Sequence, residues 1–241
     1  MHLSAMAAAY HQQLADPQME SLSFEERMGI LTDIEYTSQR NHRLDRLIKN
    51  SNFDQPQAHI AEIDFSPRRE LNRDQIVRLA SCKFISDSRN VINMGAAGSG
   101  KSYIACALGM EACKQFYTVK FIRLPSLLEE MHLAEASGAM RQLYKDYAKI
   151  SLLILDDWML VKLTAEESRF IYEIVHRRHK TASTIFCSQF APAGWHHRIA
   201  EETLADAILD RIVYDSYVIE IKSQEDKPSM REKYGFINNL N

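Results

Sequence analysis

The chain has 241 residues, of which 46% are hydrophobic and 25% charged, with a formal net charge of −3. That length holds one substantial α/β domain and a smaller second one, and the composition excludes a chain dominated by disorder or low complexity. The slightly acidic total excludes capture of a polyanion by the global field, so any nucleic-acid contact must come from local basic patches.

An Ala-rich helical opening ends near Asp16-Pro17, and Ser23-Phe24-Glu25-Glu26 then forms a capping box in which Ser23 and Glu26 satisfy each other's amides. Met28, Leu31, Ile34, Leu44, Leu47 and Ile48 keep helical spacing, so residues 24–49 are one long helix or two in succession. Residues 50–67 lose that period and read as a linker, with a short extended piece at 60–65. The domain boundary is set near 60: a helical unit at 1–60 and a second domain at 61–241.

Beyond it the pattern alternates. Strands are predicted at 91–94, 119–122, 152–155, 184–187 and 217–221, separated by a helix from Lys101, helices across 125–149, a helix from Thr164 and a helical stretch over 204–212. Strands joined through helices mean βαβ crossovers, so the fold class is α/β with a parallel sheet flanked by helices on both faces. The cysteines Cys82, Cys106, Cys113 and Cys187 form no CxxC pair and have no histidines at zinc-ligand spacing. They read as small buried residues in a reducing compartment. With no basic leader and no apolar run of bilayer-spanning length, the expected location is the cytoplasm, with no membrane partner.

Gly95-Ala96-Ala97-Gly98-Ser99-Gly100-Lys101-Ser102 matches the Walker A pattern GxxxxGK(S/T) between an apolar strand and an Ala-rich helix. Its glycines let backbone amides curl around phosphate oxygens, and the following helix aims its positive end at the anion. Lys101 is expected to neutralise the β and γ phosphates of ATP, and Ser102 to give its hydroxyl to Mg²⁺. Leu152-Leu153-Ile154-Leu155-Asp156-Asp157 is an apolar strand ending in two acids, the form of a Walker B. Asp156 is expected to hold Mg²⁺, and Asp157 to orient or deprotonate the attacking water. The bland alternative is that the two acids cap the next helix.

These motifs, together with the residues Thr-Leu-Ala-Asp-Ala-Ile-Leu-Asp-Arg-Ile-Val at 203–213 and Ser229-Met230-Arg231, resemble the IstB family. These are ATP-binding helpers of insertion-sequence transposition, related to the DnaC helicase loader within the AAA+ class. The likeness also takes in the segment at 23–27, the Ala-Cys-Ala-Leu-Gly helix after the P-loop and Arg-Leu-Pro-Ser-Leu-Leu-Glu-Glu at 123–130, so it runs nearly end to end.

The resemblance implies a AAA+ core with ATP between neighbouring subunits. Arg211 matches the arginine finger that reaches a neighbour's γ-phosphate, Ser188 occupies the sensor-1 position and Arg231 looks like the sensor-2 arginine. Arg211 as a helix ion-pair partner, Ser188 as a plain strand end and Arg231 as a solvated tail residue are the competing readings. Many AAA+ proteins carry Asp-Glu at the end of Walker B and a longer amide at sensor 1. Here Asp157 and Ser188 are shorter, which suits slow hydrolysis.

Arg40, Arg43, Arg46 and Lys49 recur every three residues and wind a basic stripe along one helix. On its own such a stripe is usually a solvated face; with the resemblance it is a candidate track for DNA phosphates. The resemblance further implies sequence-tolerant binding of duplex DNA, self-association into a ring or helical assembly and capture of a cognate transposase. The residues 176–180, His-Arg-Arg-His-Lys, suit the C-terminal dipole of a helix, and the adjacent histidines of Trp195-His196-His197 read as surface residues rather than as a metal site, having no clustered acid or cysteine. The expected function is an ATP-hydrolysing regulator of transposition. Its rivals are a helicase loader, a nucleotide-gated module that does not hydrolyse, and a small-molecule P-loop kinase, for which no acceptor pocket is visible.

Overall fold

The computed structural model describes residues 3–222, and the chain divides into two compact units after Leu47. The first unit holds α1 (Ser4–Ala15) and most of α2 (Phe24–Ser51). The expected capping box is present: the Ser23 N–H donates to Glu26 Oε2 at 2.8 Å and the Glu26 N–H to Ser23 Oγ at 3.2 Å. From there α2 is a single helix. Its Glu35 carboxylate accepts from the Met6 N–H in the first turn of α1 and from Gln39 Nε2, each at 2.9 Å, satisfying one of the amides that a helix start leaves without a partner.

In the second unit the extended piece expected at 60–65 is not a strand. Ile60–Glu62 and Pro67–Arg69 are single 3₁₀ turns, the second opened by Pro67, whose fixed φ suits the start of a turn. Two helices follow that periodicity alone does not mark, α3 (Arg73–Ala80), capped by Asn72 accepting from the Gln75 N–H, and α4 (Lys83–Ser86).

Every expected strand is present within a residue or two of its limits. They are β1 (Asn90–Gly95), β2 (Val119–Arg123), β3 (Leu152–Asp156), β4 (Ser183–Ser188) and β5 (Ser216–Ile221). The connecting helices are α5 (Lys101–Lys114), α6 (Leu124–Ala136), α7 (Met140–Lys149), α8 (Ala165–Arg178), α9 (Pro192–Trp195) and α10 (Glu202–Val213). All pairings are parallel, in the order β2-β3-β4-β1-β5. Because parallel neighbours need helical crossovers, every strand's C-terminal end opens on the same edge of the sheet. The β1 and β3 ends flank β4 there, which brings the two nucleotide motifs together.

Helix α5 is enclosed along nearly its whole length, which its alanines permit. A Cβ on Gly109 would stand 2.6 Å from Phe53 and 2.9 Å from Ile154, so this turn needs a glycine for close packing. On the other side Ile92, Leu153, Leu155 and Phe186 of the sheet join α6, α8 and α10 in one buried apolar cluster that also encloses Trp158 and Trp195.

Candidate functional site

The phosphate loop leaves β1 at Gly95 and enters α5 at Lys101. Gly98 (φ 72°) and Gly100 (φ 90°) take left-handed conformations that cost a side-chain-bearing residue energy. A Cβ on Gly95 would lie 2.7 Å from the Ile221 carbonyl oxygen, so the strand start of the loop is fixed against β5. The Lys101 ammonium, 8% exposed, donates to the carbonyls of Gly95 (2.9 Å) and Ala96 (2.7 Å), curled back over the loop. Beneath it Asn93 Nδ2 donates to the Lys101 carbonyl at 2.8 Å, pinning the first turn of α5 to β1.

The Ser102 hydroxyl donates to Asp156 Oδ2 at 2.6 Å, joining Walker A to Walker B across the sheet edge. The other oxygen, Asp156 Oδ1, accepts from the Asp157 N–H at 2.9 Å. Burial raises the Asp156 pKa above the ordinary carboxylate value, against the pull of these two donors. A hydroxyl and a carboxylate in contact are hard oxygen ligands of the kind that Mg²⁺ selects, and the lysine and the glycine curl beside them suit phosphates. The residues therefore fit Mg²⁺ and a nucleoside triphosphate: Ser102 and Asp156 would hold the cation, and Lys101 and the loop amides of 95–102 the phosphates.

Asp157 adopts φ 53°, which turns its side chain off the strand line toward β2. There Arg123, the last residue of β2, donates from Nε (2.7 Å) and Nη2 (2.6 Å) to the same oxygen, Asp157 Oδ2. This bond raises the Arg123 pKa. The pairing follows from register, since Arg123 sits opposite Asp156 in the β2–β3 ladder. A second arginine outside the sequence reading is Arg69, 9% exposed, whose Nη2 donates to the Ser99 carbonyl and Nη1 to the Asp64 carbonyl. It ties the segment before α3 to the phosphate loop.

Ser188 departs from its expected role. It is fully buried, and its hydroxyl donates to the Trp158 carbonyl (2.9 Å) while accepting from the Phe190 N–H (3.1 Å) and Trp195 Nε1 (3.1 Å). With every hydrogen-bonding position used, it braces the loop after Walker B and has none left for a phosphate. The next residue, Gln189, is exposed in the bend that follows β4.

Arg211, half-buried on α10, donates from Nη1 to the Ala207 carbonyl at 2.7 Å and lies 5.3 Å from the centre of the Tyr172 ring. Arg231 lies outside the described residues. Arg40, Arg43, Arg46 and Lys49 are all exposed on α2. A three-residue step lags the helix by about 60°, so Arg40 to Arg46 turn through about 120° and do not form a straight row. At the end of α8, Arg178 is not solvated: it is 3% exposed and donates to the carbonyls of Tyr147 (2.6 Å), Ile150 (2.8 Å) and Ser183 (2.5 Å) and to Thr184 Oγ1 (3.0 Å). All four cysteines are buried and unpaired, and burial pushes the Cys106 thiol up to about 12. Among the described residues no helix is long and apolar enough to cross a membrane.

Comparison with known proteins agrees with this geometry. The chain is 32% identical over 233 residues to the insertion-sequence ATP-binding protein y4pL of Sinorhizobium fredii, covering 97% of this chain and 95% of that protein. It is 36% identical over 189 residues to the IS1162 ATP-binding protein of Pseudomonas fluorescens, covering 78% and 82%. Among solved structures, DnaI (TM-score 0.60, 23% identity) covers 69% of this chain and 92% of that one, and the DnaC helicase loader (0.56, 16%) covers 68% and 97%. Nucleotide-bound DnaA from Aquifex aeolicus superposes with a TM-score of 0.60 at 18% identity, over 75% of this chain and 54% of that one. These likenesses place the fold among AAA+ P-loop proteins. Residues 1–234 match the family of IstB-like ATP binding proteins, to which this chain belongs.

Proposed function

We propose that this chain binds ATP with Mg²⁺ at 95–102 and Asp156, hydrolyses it at an interface between subunits, and uses that cycle to assemble on duplex DNA and engage a transposase. The observation that carries the reading is the 2.6 Å contact between Ser102 Oγ and Asp156 Oδ2, which brings together two hard oxygen donors from motifs 54 residues apart. Relatives above 30% identity are insertion-sequence proteins, which favours transposition over helicase loading.

In this mechanism Lys101 leaves the Gly95 and Ala96 carbonyls and places its charge on the β and γ phosphates, while the amides of the loop and the start of α5 hold the phosphate oxygens. Mg²⁺, which Ser102 and Asp156 would hold, would supply positive charge against the charge that develops on the phosphates. Asp157 takes a proton from, or orients, the attacking water once Arg123 releases Oδ2. Gln189, exposed just beyond β4, is the polar side chain that would contact the γ-phosphate side of the site. Arg211 of an adjoining copy supplies positive charge to the transition state. The basic residues Arg40, Arg43, Arg46 and Lys49 neutralise DNA phosphates without reading bases.

The test is light scattering on long duplex DNA with ATP and Mg²⁺. ATP-dependent growth that Lys101→Ala abolishes supports the reading; growth indifferent to ATP, or a particle that never exceeds one subunit on DNA, overturns it.

A further inference from the structure

Arg211 differs from most surface arginines in what holds it. Among the described residues no carboxylate lies within ion-pair distance of it. Its guanidinium is set instead by the Ala207 carbonyl one turn back on α10 and by the ring of Tyr172 on α8, 5.3 Å from its centre and inside the range of a cation–π contact. Tyr172 is in turn fixed by His176, whose ring stacks on it at 5.7 Å with an interplanar angle of 9°. Both helices pack into the same apolar cluster through Ile171, Ile174, Ile208 and Ile212, so the ring and the arginine keep their spacing.

We infer that Tyr172 is a positioning residue for Arg211, holding the guanidinium in a single rotamer so that its remaining N–H groups stay directed outward for a phosphate of a neighbouring copy. The inference rests on the proposal that Arg211 acts in trans. Its physical basis is that a long arginine side chain on a helix surface otherwise samples many rotamers, and each excursion lowers the fraction of subunits presenting a usable donor. A carboxylate partner would hold the side chain equally well but would compete with the phosphate for its charge. The face of an aromatic ring holds it while leaving the N–H edge open.

The experiment is steady-state ATP hydrolysis by the assembled full-length protein, comparing wild type with Tyr172→Phe, Tyr172→Leu, Arg211→Ala and the Tyr172→Leu/Arg211→Ala pair, and with Phe at 172 carrying progressive ring fluorination. Tyr172→Phe keeps the ring and is expected to retain kcat. Tyr172→Leu is expected to lower kcat about fivefold with KM unchanged, and to add nothing to the loss caused by Arg211→Ala. Fluorination drains the negative face of the ring while its shape changes little, so kcat should fall stepwise along that series even where Tyr172→Leu perturbs folding. Wild-type kcat in Tyr172→Leu, losses that add to those of Arg211→Ala, or indifference to fluorination would overturn the inference. If Arg211→Ala itself hydrolyses normally, the finger assignment fails first, a result separate from any of these.

Discussion

Arg123 and Asp157 are locked together through one atom: both the Nε and the Nη2 of Arg123 end on Asp157 Oδ2, at 2.7 and 2.6 Å. The carboxylate proposed to act on water thus has one of its two oxygens engaged from β2. Arg123 is 61% exposed, so the pair is an accessible one of roughly 0.5–1 kcal/mol. Arg123→Gln should therefore raise phosphate release in the absence of DNA by about two- to fivefold. A fall in rate would show that the pair aims the base and does not withhold it.

Ser188 and Gln189 divide two roles that look alike in sequence. Ser188→Ala removes a fully buried hydroxyl with three partners, including Trp158 and Trp195. It should cost about 1–3 kcal/mol of stability in urea unfolding, because Trp195 Nε1 and the Phe190 N–H each lose an acceptor. The only two tryptophans of the chain belong to this network, so their fluorescence follows the loss directly. Gln189→Ala, at an exposed position, should leave stability unchanged and lower kcat. The opposite pattern would restore the hydroxyl as the nucleotide contact.

Arg178→Met tests the structural reading of the cationic end of α8. The guanidinium bonds three carbonyls, from the end of α7 (Tyr147, Ile150) and the start of β4 (Ser183). Removing it strands these buried acceptors, so a loss of about 3–5 kcal/mol in chemical unfolding is expected. A loss below about 1 kcal/mol would mean that Arg178 is dispensable to the fold and free for other work.

Lys101→Ala should melt close to wild type without nucleotide, since the Gly95 and Ala96 carbonyls that its side chain bonds belong to the phosphate loop and not to the apolar core, yet lose the upward shift that ATP with Mg²⁺ produces. For a ligand at a hundred times its Kd that shift corresponds to about 2.7 kcal/mol. A full shift in the variant would remove Lys101 from the phosphate site.

The strands are legible in the sequence because each is a short run of apolar residues bounded by polar or glycine breaks, and the two motifs are legible because their chemistry fixes their spacing. Helix α3 is signalled only by Asn72, whose side chain caps it, because its 8 residues hold too few apolar positions to establish a period. The Arg123–Asp157 pair and the reach of Arg69 to Ser99 are not legible, because both depend on which strands and turns become neighbours. Ser188 has the right position along the chain, but the two tryptophans that claim its hydroxyl come from segments 30 and 7 residues away. Pairings of this kind arise from strand order and loop course, which residue periodicity does not encode.

The most direct test of the account is multiple-turnover phosphate release from ATP and Mg²⁺ by the wild-type protein, with and without long duplex DNA. Sustained turnover that DNA accelerates and Asp157→Asn abolishes is expected. A single burst without turnover, or no release under either condition, would contradict it and leave a nucleotide-gated binding protein in its place.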